Sequence, residues 1–265
     1  MTKNYLIDTH AHINFGLSEN GERNFSNEEV KYILKEMNEY GVKKVIIPAV
    51  DTKTLERVKE LAEMFENVYG MIGIFPTEAN TYSQEIENKM IEFAKSSKIV
   101  AVGEIGLDYY WEKETSELQK DVFIKQIKLA NKLNLPIVVH DRDAHKDCFD
   151  IIKKYNTTSK VLFHCFSGSV EFMKECVKEG WYIAIGGVIT FKNAIKMKDV
   201  AREVPLNKLV LETDSPYLTP VPYRGKENKP AYVKFVAEKI AEIKGMNTEQ
   251  IIEATTCNAE EFFGI

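Results

Sequence analysis

The chain has 265 residues, of which 44% are hydrophobic and 28% charged, the proportions of an ordinary soluble globular protein. Its formal net charge of -5 disfavours a protein that binds nucleic acid along a broad basic surface. The four cysteines form no C-x-x-C pair, which argues against a zinc ribbon or a disulfide framework and predicts reduced thiols.

The apolar segments also predict where the protein acts. The chain runs from Met1 directly into the strand-like segment 5–8, without the basic and apolar regions of a signal peptide. No apolar run approaches the roughly 18 residues that a membrane helix needs. We therefore expect a cytoplasmic protein with no membrane partner and no obligate protein partner.

Short apolar, β-branched runs alternate with amphipathic stretches along the whole chain. Eight runs are predicted as strands: Tyr5–Ile7, Val42–Ile47, Val68–Ile74, Ile99–Val102, Ile137–Val139, Val161–Phe163, Trp181–Ile185 and Leu209–Leu211. Their starts lie about 29 residues apart on average, the size of a strand plus a crossover helix. Because the runs are continuously hydrophobic, we expect parallel strands that are buried on both faces.

Helix signals occupy the intervals between these runs. Ser26 and Glu29 form a capping box, and Gly41 ends the helix that follows. Asn258 with Glu261 predicts the cap of a last short helix. Alternating strands and helices leave a closed barrel and a doubly wound sheet open. Eight units favour the barrel, so residues 1–265 are predicted to form a single (β/α)8 TIM-barrel domain, a fold of about 250 residues.

One loop differs from the rest in composition. The segment 213–230 contains Pro216, Pro220, Pro222 and Pro230. Proline restricts the backbone, so we expect this loop to be rigid. It follows the eighth predicted strand and therefore lies at the end of the barrel that carries active sites.

Four of the five histidines stand at the C-terminal ends of predicted strands, where barrel strands converge. Two carboxylates stand at the same level of other strands. The six groups are His10, His12, Glu104, His140, His164 and Asp214. His145 lies off the strand ends, in a polar stretch, and we expect it not to be a ligand.

Neutral imidazole and carboxylate groups together suit divalent ions such as Zn²⁺, Mn²⁺ or Mg²⁺. Six groups exceed the three protein ligands of a typical catalytic zinc. Two ions that share a bridging carboxylate would use all six, and such a pair activates water and holds the oxygens of a displacement reaction. We therefore predict a hydrolase with two divalent metal ions.

Six ordered motifs accompany these groups. They are Asp8-Thr9-His10-Ala11-His12, Gly103-Glu104-Ile105-Gly106-Leu107-Asp108-Tyr109-Tyr110, Val139-His140-Asp141-Arg142, His164-Cys165-Phe166-Ser167-Gly168, Glu212-Thr213-Asp214-Ser215-Pro216-Tyr217 and Pro222-Tyr223-Arg224-Gly225-Lys226-Glu227-Asn228. Through them, essentially the whole chain resembles the TatD-type metal-dependent hydrolases (TatD-like deoxyribonucleases) of the amidohydrolase-like barrels.

The resemblance implies a division of the ligands between two ions. One ion would use His10, His12, Glu104 and Asp214, and the other would use Glu104, His140 and His164, with Glu104 as the bridge. Glu104 and Asp214 are the catalytic candidates, and Asp214 is the candidate general base because it can accept a proton. Related phosphotriesterase-type barrels bridge their ions with a carbamylated lysine on the fourth strand, where this chain has Glu104.

The chain departs from the family pattern at two positions. Phe75 replaces a histidine that often follows the third strand, and a phenyl ring cannot donate a hydrogen bond to phosphate. Lys229 stands where the family has a glutamate, which inverts the charge and would suit an anionic substrate.

Contacts to the substrate are predicted from charge and ring type. Arg142 and Arg224 are candidates to hold phosphate oxygens, because guanidinium forms a planar fork that matches them. Tyr109, Tyr110 and Trp111 follow the fourth strand and are candidates to stack on bases.

Three functions remain open at this stage. We favour a two-metal deoxyribonuclease or phosphodiesterase that acts on DNA ends, an ester-bond hydrolase whose substrate is a nucleic acid or another phosphate ester. The second is a metal-dependent hydrolase of ester or amide bonds, such as a D-aminoacyl-tRNA deacylase. The third belongs to a different class: a non-catalytic binding protein that metals stabilise.

Overall fold

The apolar runs form the strands of the protein, whose computed structural model describes residues 3–18 and 21–265. The strands are β1 (Leu6–Asp8), β2 (Phe15–Ser18), β3 (Gly21–Asn24), β4 (Val42–Pro48), β5 (Val68–Ile72), β6 (Ile99–Asp108), β7 (Ile137–Arg142), β8 (Val161–Phe163), β9 (Tyr182–Ile185) and β10 (Leu209–Leu211). The helices are α1 (Asn27–Glu39), α2 (Thr52–Met64), α3 (Gln84–Phe93), α4 (Ser116–Leu133), α5 (His145–Tyr155), α6 (Val170–Lys178), α7 (Ile195–Glu203), α8 (Val233–Lys244) and α9 (Thr248–Phe263).

Within the described residues, eight strands form one parallel sheet in the order β1-β4-β5-β6-β7-β8-β9-β10. The two ends of this sheet meet just beyond β1 and β10. Thr9 N–H donates to the Leu211 carbonyl (3.1 Å), Asp214 N–H donates to the His10 carbonyl (2.9 Å), and Ala11 forms a parallel bridge with Ser215. The sheet is therefore a barrel, and the predicted (β/α)8 TIM-barrel fold is confirmed.

The barrel has an interior core and an outer core. Each of the eight barrel strands contributes at least one buried side chain to the interior cluster: Ile7, Ile46, Met71, Val100, Ala101, Val138, Leu162, Tyr182, Ala184 and Val210. Phe262 and Phe263 of α9 belong to the same cluster, so α9 covers the N-terminal end of the barrel. A larger cluster packs the outer faces of the strands against the surrounding helices. Burial of both faces explains why the strands are continuously apolar.

Several local predictions hold, and others need correction. The capping box of Ser26 and Glu29 starts α1, and the four cysteines are free thiols. The fourth barrel strand, β6, continues to Asp108 instead of ending at Val102, and its pairing with β7 shifts register between Val102 and Ile105. The hairpin of β2 and β3 was not predicted. None of the helices in the described ranges has the length and apolarity needed to cross a bilayer.

The expectation that Asn258 caps a short last helix is wrong, because α9 begins at Thr248. Asn258 lies inside α9, where its amide serves a tertiary contact. Its Nδ2 donates to the carbonyl oxygens of Leu206 and Leu209, each at 2.7 Å. The side chain thus attaches α9 to the start of β10.

We predict that Asn258→Ala destabilises the protein without changing its metal binding. The substitution leaves two carbonyl groups without their donor, which costs about 1–3 kcal/mol of unfolding free energy. Urea unfolding of the metal-free protein measures this loss. Asn88→Ala, at an exposed position of α3, is the matched control and should stay within about 0.5 kcal/mol. Equal stabilities of the two variants would contradict the structural role of Asn258.

Candidate metal centre

Strand geometry positions the predicted ligands at the C-terminal mouth of the barrel. Side chains two residues apart on a strand point to the same face. His140 follows the interior residue Val138 by two positions, and His164 follows Leu162 in the same way. Both histidines therefore continue the interior face of the barrel one layer above its apolar core.

A first group of side chains comes from the junction where the barrel closes. His10 and His12 follow β1, and Asp214 follows β10. Asp214 Oδ1 lies 3.9 Å from His10 Nε2 and 3.7 Å from His12 Nε2. One ligand atom from each of these residues lies within 4.8 Å of the others, so the three could hold a metal ion.

A second group comes from β6, β7 and β8. Glu104 Oε1 lies 2.8 Å from both His140 Nδ1 and His164 Nε2. These three residues form another set with ligand atoms within 4.8 Å. The other oxygen of the same carboxylate, Oε2, lies 3.3 Å from His10 Nε2 in the first group. Glu104 thus presents one oxygen to each group, the arrangement that a bridging ligand requires.

Buried ring nitrogens without partners show that the donor set fits metal ions. Both nitrogens of His10 and the Nδ1 atoms of His12 and His164 are buried and make no hydrogen bond. Burial, with the neighbouring His164, lowers the pKa of His10 to about 3, and burial lowers the pKa of His12 to about 4. Both rings are therefore neutral at pH 7 and have the free lone pair that a metal ligand needs.

Because His10 and His12 are neutral, His140 and His164 are the bases that offset the buried carboxylates of the centre. Burial lowers the pKa of His164, but the neighbouring Glu104 outweighs burial and raises that pKa to about 10. Burial raises the pKa of Glu104, but His164 and His10 outweigh burial and hold that pKa well below its usual range. Burial raises the pKa of Asp214 to about 7 and that of Glu212 to about 8. Crowded, desolvated carboxylates favour a bound cation, which relieves their repulsion.

Glu212 is a member of the centre that sequence reasoning missed. His10, His164 and Glu212 form a third set of possible ligands, and the rings of His10 and His164 stack with centroids 3.9 Å apart. Glu212 Oε1 accepts the backbone N–H of Cys165 (2.5 Å) and lies 3.7 Å from His164 Nδ1. The signal was available, since Glu212 directly follows β10 and precedes Asp214 by two residues.

Asp8 was also missed, and it connects the two strand ends that close the barrel. Its Oδ1 accepts the backbone N–H groups of His10 (3.3 Å) and Thr213 (2.9 Å). Its Oδ2 accepts the Thr213 hydroxyl at 2.6 Å. Asp8 therefore holds His10 and Asp214 in their relative positions without being a ligand itself. Asp108, the third missed carboxylate, contacts His140 Nε2 at 3.0 Å.

The centre lies in the wall of a cavity of about 1080 Å³. Its lining includes the ligand candidates Glu104, His140 and Asp214. It also includes Arg142 and Lys53, of which the sequence predicted only Arg142. Phe75 lines the cavity too, with its ring packed edge-on against His140 at 4.5 Å between centroids. The residues predicted to stack on bases differ in their surroundings. Trp111 lines the cavity, whereas Tyr109 donates its hydroxyl to Asp147 (2.6 Å).

Three predicted residues lie apart from this centre. His145 Nδ1 lies 2.7 Å from Asp141 Oδ2, and its ring stacks on Phe172. The Arg224 guanidinium lies over the Phe191 ring at 3.8 Å, and Arg224 is not among the described residues that line the cavity. Lys229 pairs with Glu36 of α1 at 2.9 Å, so its charge is already met within the protein.

Comparison with known proteins adds independent findings. The model of a family described as TatD related DNase matches residues 7–264. The chain is 40% identical over 261 residues to YabD of Bacillus subtilis, covering 98% of this chain and 99% of that one. It is 36% identical over 262 residues to YcfH of Escherichia coli, covering 98% and 96%. Both relatives are described as uncharacterized metal-dependent hydrolases.

Solved structures agree with these matches. YjjV, a TatD homologue from Escherichia coli, superposes with a TM-score of 0.89 at 29% identity, and all of each chain is covered. A TatD family hydrolase from Entamoeba histolytica, at 22% identity, shares the fold with a TM-score of 0.86 over 99% of each chain.

We predict that His140→Ala impairs metal binding and that His145→Ala does not, so that the two variants together distinguish loss of a ligand from a general effect of losing a histidine. His140→Ala should bind fewer divalent ions and lose most hydrolase activity, because it removes a donor that faces Glu104 and His164. His145→Ala should keep its metal content and its activity, because the His145 ring contacts Asp141 and Phe172 and none of the six predicted ligands. Metal content after dialysis and activity are measured side by side. Equal metal loss in both variants would show that the ligand assignment is incorrect.

Proposed function

This chain belongs to the TatD-related DNase family and is a metal-dependent hydrolase; from that premise, we propose that it is a two-metal phosphodiesterase that shortens DNA strands from an end. In this proposal His10, His12, Glu104 and Asp214 hold one ion, and Glu104, His140 and His164 hold the other. The family description supports a nucleic-acid substrate. The features of the cavity support an anionic one.

The observation that carries the proposal is a pair of free cations in the cavity that contains the ligands. Lys53 and Arg142 are exposed cavity residues. Among the described residues, the Lys53 ammonium has no ion-pair or hydrogen-bond partner, and the Arg142 guanidinium contacts only the Tyr110 ring, at 4.9 Å. Arg57, another cation that lines the cavity, is already ion-paired with Glu60 at 2.8 Å. Cations left unpaired beside a metal centre suit a substrate with several phosphate charges.

The side chains of the centre have complementary tasks in phosphodiester hydrolysis. A divalent pair, when bound, supplies Lewis-acid activation of water and neutralises charge that develops on phosphate. Asp214 accepts the proton of the attacking water, a role suited to a carboxylate that lines the cavity beside the other ligands. Arg142 stabilises negative charge on the non-bridging phosphate oxygens.

Trp111 supports the choice of a nucleic acid within the phosphate esters. Its side chain is 71% exposed although it lines the cavity, so its ring is free to stack on a base. Its backbone N–H donates to Asp108 Oδ1 (2.8 Å), which holds the residue at the cavity mouth.

An end-directed reaction follows from shape and charge. The hairpin of β2 and β3 lies beside the proline-rich loop, since Leu17 N–H donates to Glu227 Oε1 (3.2 Å), and these segments narrow the mouth near His12. Such a mouth admits a strand terminus more easily than a continuous duplex. The net charge of -5 also opposes binding along a duplex, which needs many phosphate contacts.

We predict metal-dependent hydrolysis of linear single-stranded DNA and little cleavage of a closed circle of the same sequence. Both substrates are incubated with Mg²⁺, Mn²⁺ or EDTA, and the Asp214→Asn protein serves as the blank. Rapid cleavage of the circle would contradict the end-directed reaction, and undiminished cleavage in EDTA would contradict the metal mechanism.

The same preparation tests the remaining functions. A D-aminoacyl-tRNA deacylase would release the amino acid from charged tRNA and leave the DNA intact. A non-catalytic binding protein would bind metal and turn over neither substrate. Either outcome would overturn the phosphodiesterase proposal.

We predict that Arg142→Ala raises KM for single-stranded DNA by about 10–100-fold, since a hydrogen bond to a charged group contributes about 1.5–3 kcal/mol. Lys53→Ala should act in the same direction. Arg224→Ala is the matched control, because its guanidinium covers Phe191 outside the cavity lining, and its KM should change by less than about twofold. A larger KM effect for Arg224→Ala than for Arg142→Ala would show that the substrate takes a different path.

A further inference from the structure

Asp108 ends β6 four residues after Glu104, and its carboxylate serves two sets of donors. Only 1% of the residue is exposed. Oδ1 accepts the backbone N–H groups of Tyr110 (2.9 Å) and Trp111 (2.8 Å). Oδ2 lies 3.0 Å from Nε2 of His140. Both oxygens of one buried carboxylate are therefore occupied.

The contact with Asp108 determines which nitrogen of His140 carries the proton. An ionised carboxylate can only accept hydrogen bonds. Nε2 of His140 therefore donates to Asp108, and Nδ1, which faces the ionised Glu104, also carries a proton until a metal ion displaces it. In the metal-bound ring the lone pair is on Nδ1, and the contact with Asp108 keeps the remaining proton on Nε2. Nδ1 is the atom that faces Glu104 Oε1 (2.8 Å) and His164 Nε2 (3.5 Å), the side on which the second ligand group meets.

The backbone holds Asp108 in position independently of the histidine. Asp108 N–H donates to Gln119 Oε1 (2.8 Å), and Gln119 Nε2 donates back to the Asp108 carbonyl (3.1 Å). Gly106 lets β6 approach β7 beside the ligand, since a Cβ atom there would lie 2.0 Å from the His140 carbonyl oxygen. Gln119 of α4 and the close approach of β6 to β7 thus fix the position of the Asp108 carboxylate beside His140.

We propose that Asp108 is a positioning residue, which holds His140 in the tautomer and orientation that bind a metal ion through Nδ1. A partner of this kind on the second ring nitrogen fixes the ring and raises its basicity as a ligand. The inference rests on the proposed metal centre, but it does not depend on which substrate is hydrolysed.

Asp108→Asn tests the proposal because an amide has one acceptor oxygen where the carboxylate has two. If that oxygen serves the Tyr110 and Trp111 N–H groups, the NH₂ group faces His140 Nε2 and favours the Nδ1–H tautomer, which cannot bind metal. Asp108→Ser is the second variant: its hydroxyl can accept from the turn, but the shorter side chain leaves His140 without a carboxylate. Asp141→Asn is the matched control, since Asp141 is next to His140 in sequence but contacts His145.

Zn²⁺ binding to metal-free protein is measured in competition with a chromophoric chelator, and no substrate is present. For both Asp108 variants we expect the affinity of one Zn²⁺ to fall by about 10–100-fold, with the control unchanged. In a ¹⁵N-histidine correlation spectrum of the Zn²⁺-loaded protein, the His140 signal should report Nε2–H in the unaltered protein and lose that state in Asp108→Asn. The melting temperature of the metal-free variants should stay close to that of the unaltered protein.

Unchanged Zn²⁺ affinity in both Asp108 variants would overturn the proposal and leave Asp108 as a turn-forming residue. An equal loss in Asp141→Asn would also overturn it, because the effect would then be a general one of charge removal. If the unaltered protein bound Zn²⁺ as expected but did not hydrolyse DNA, the phosphodiesterase proposal would fail while this inference stood.

Discussion

The buried carboxylate of Glu104 is the group on which the arrangement of this centre depends. Only 3% of the residue is exposed, and its oxygens contact His10 after β1, His140 in β7 and His164 after β8. A buried charge is costly unless it is paired, so Glu104 is stable only where these donors converge. The barrel supplies that convergence, because its parallel strands end at one mouth.

The contacts that close the barrel also bring His10 and His12 next to Asp214. The contacts that join β1 to β10 include the hydrogen bonds of Asp8 with Thr213 and of Asp214 N–H with the His10 carbonyl. The same residues carry or neighbour the ligand side chains. A change that opened this junction would therefore separate His10 and His12 from Asp214, even though no ligand had been altered.

The buried carboxylates of the centre attract cations, whereas the basic side chains in the cavity wall attract anions. Raised pKa values at Asp214 and Glu212 reflect carboxylates that burial brings together without enough positive partners. Lys53 and Arg142 stand in the wall of the same cavity. This layout suits the proposed reaction, in which metal ions and a phosphate-bearing substrate meet, while the Arg224 guanidinium lies over the Phe191 ring.

The sequence by itself determined the barrel and the six strand-end groups, because continuous apolar runs and two-residue spacing are local properties of the chain. Only the tertiary structure decided which other side chains reach those groups. β6 shifts register with β7 and continues to Asp108, whose carboxylate contacts His140. Lys53, in the first turn of α2, lines the cavity, whereas Arg224 packs on Phe191. Such contacts join residues far apart in the chain, so no local pattern encodes them.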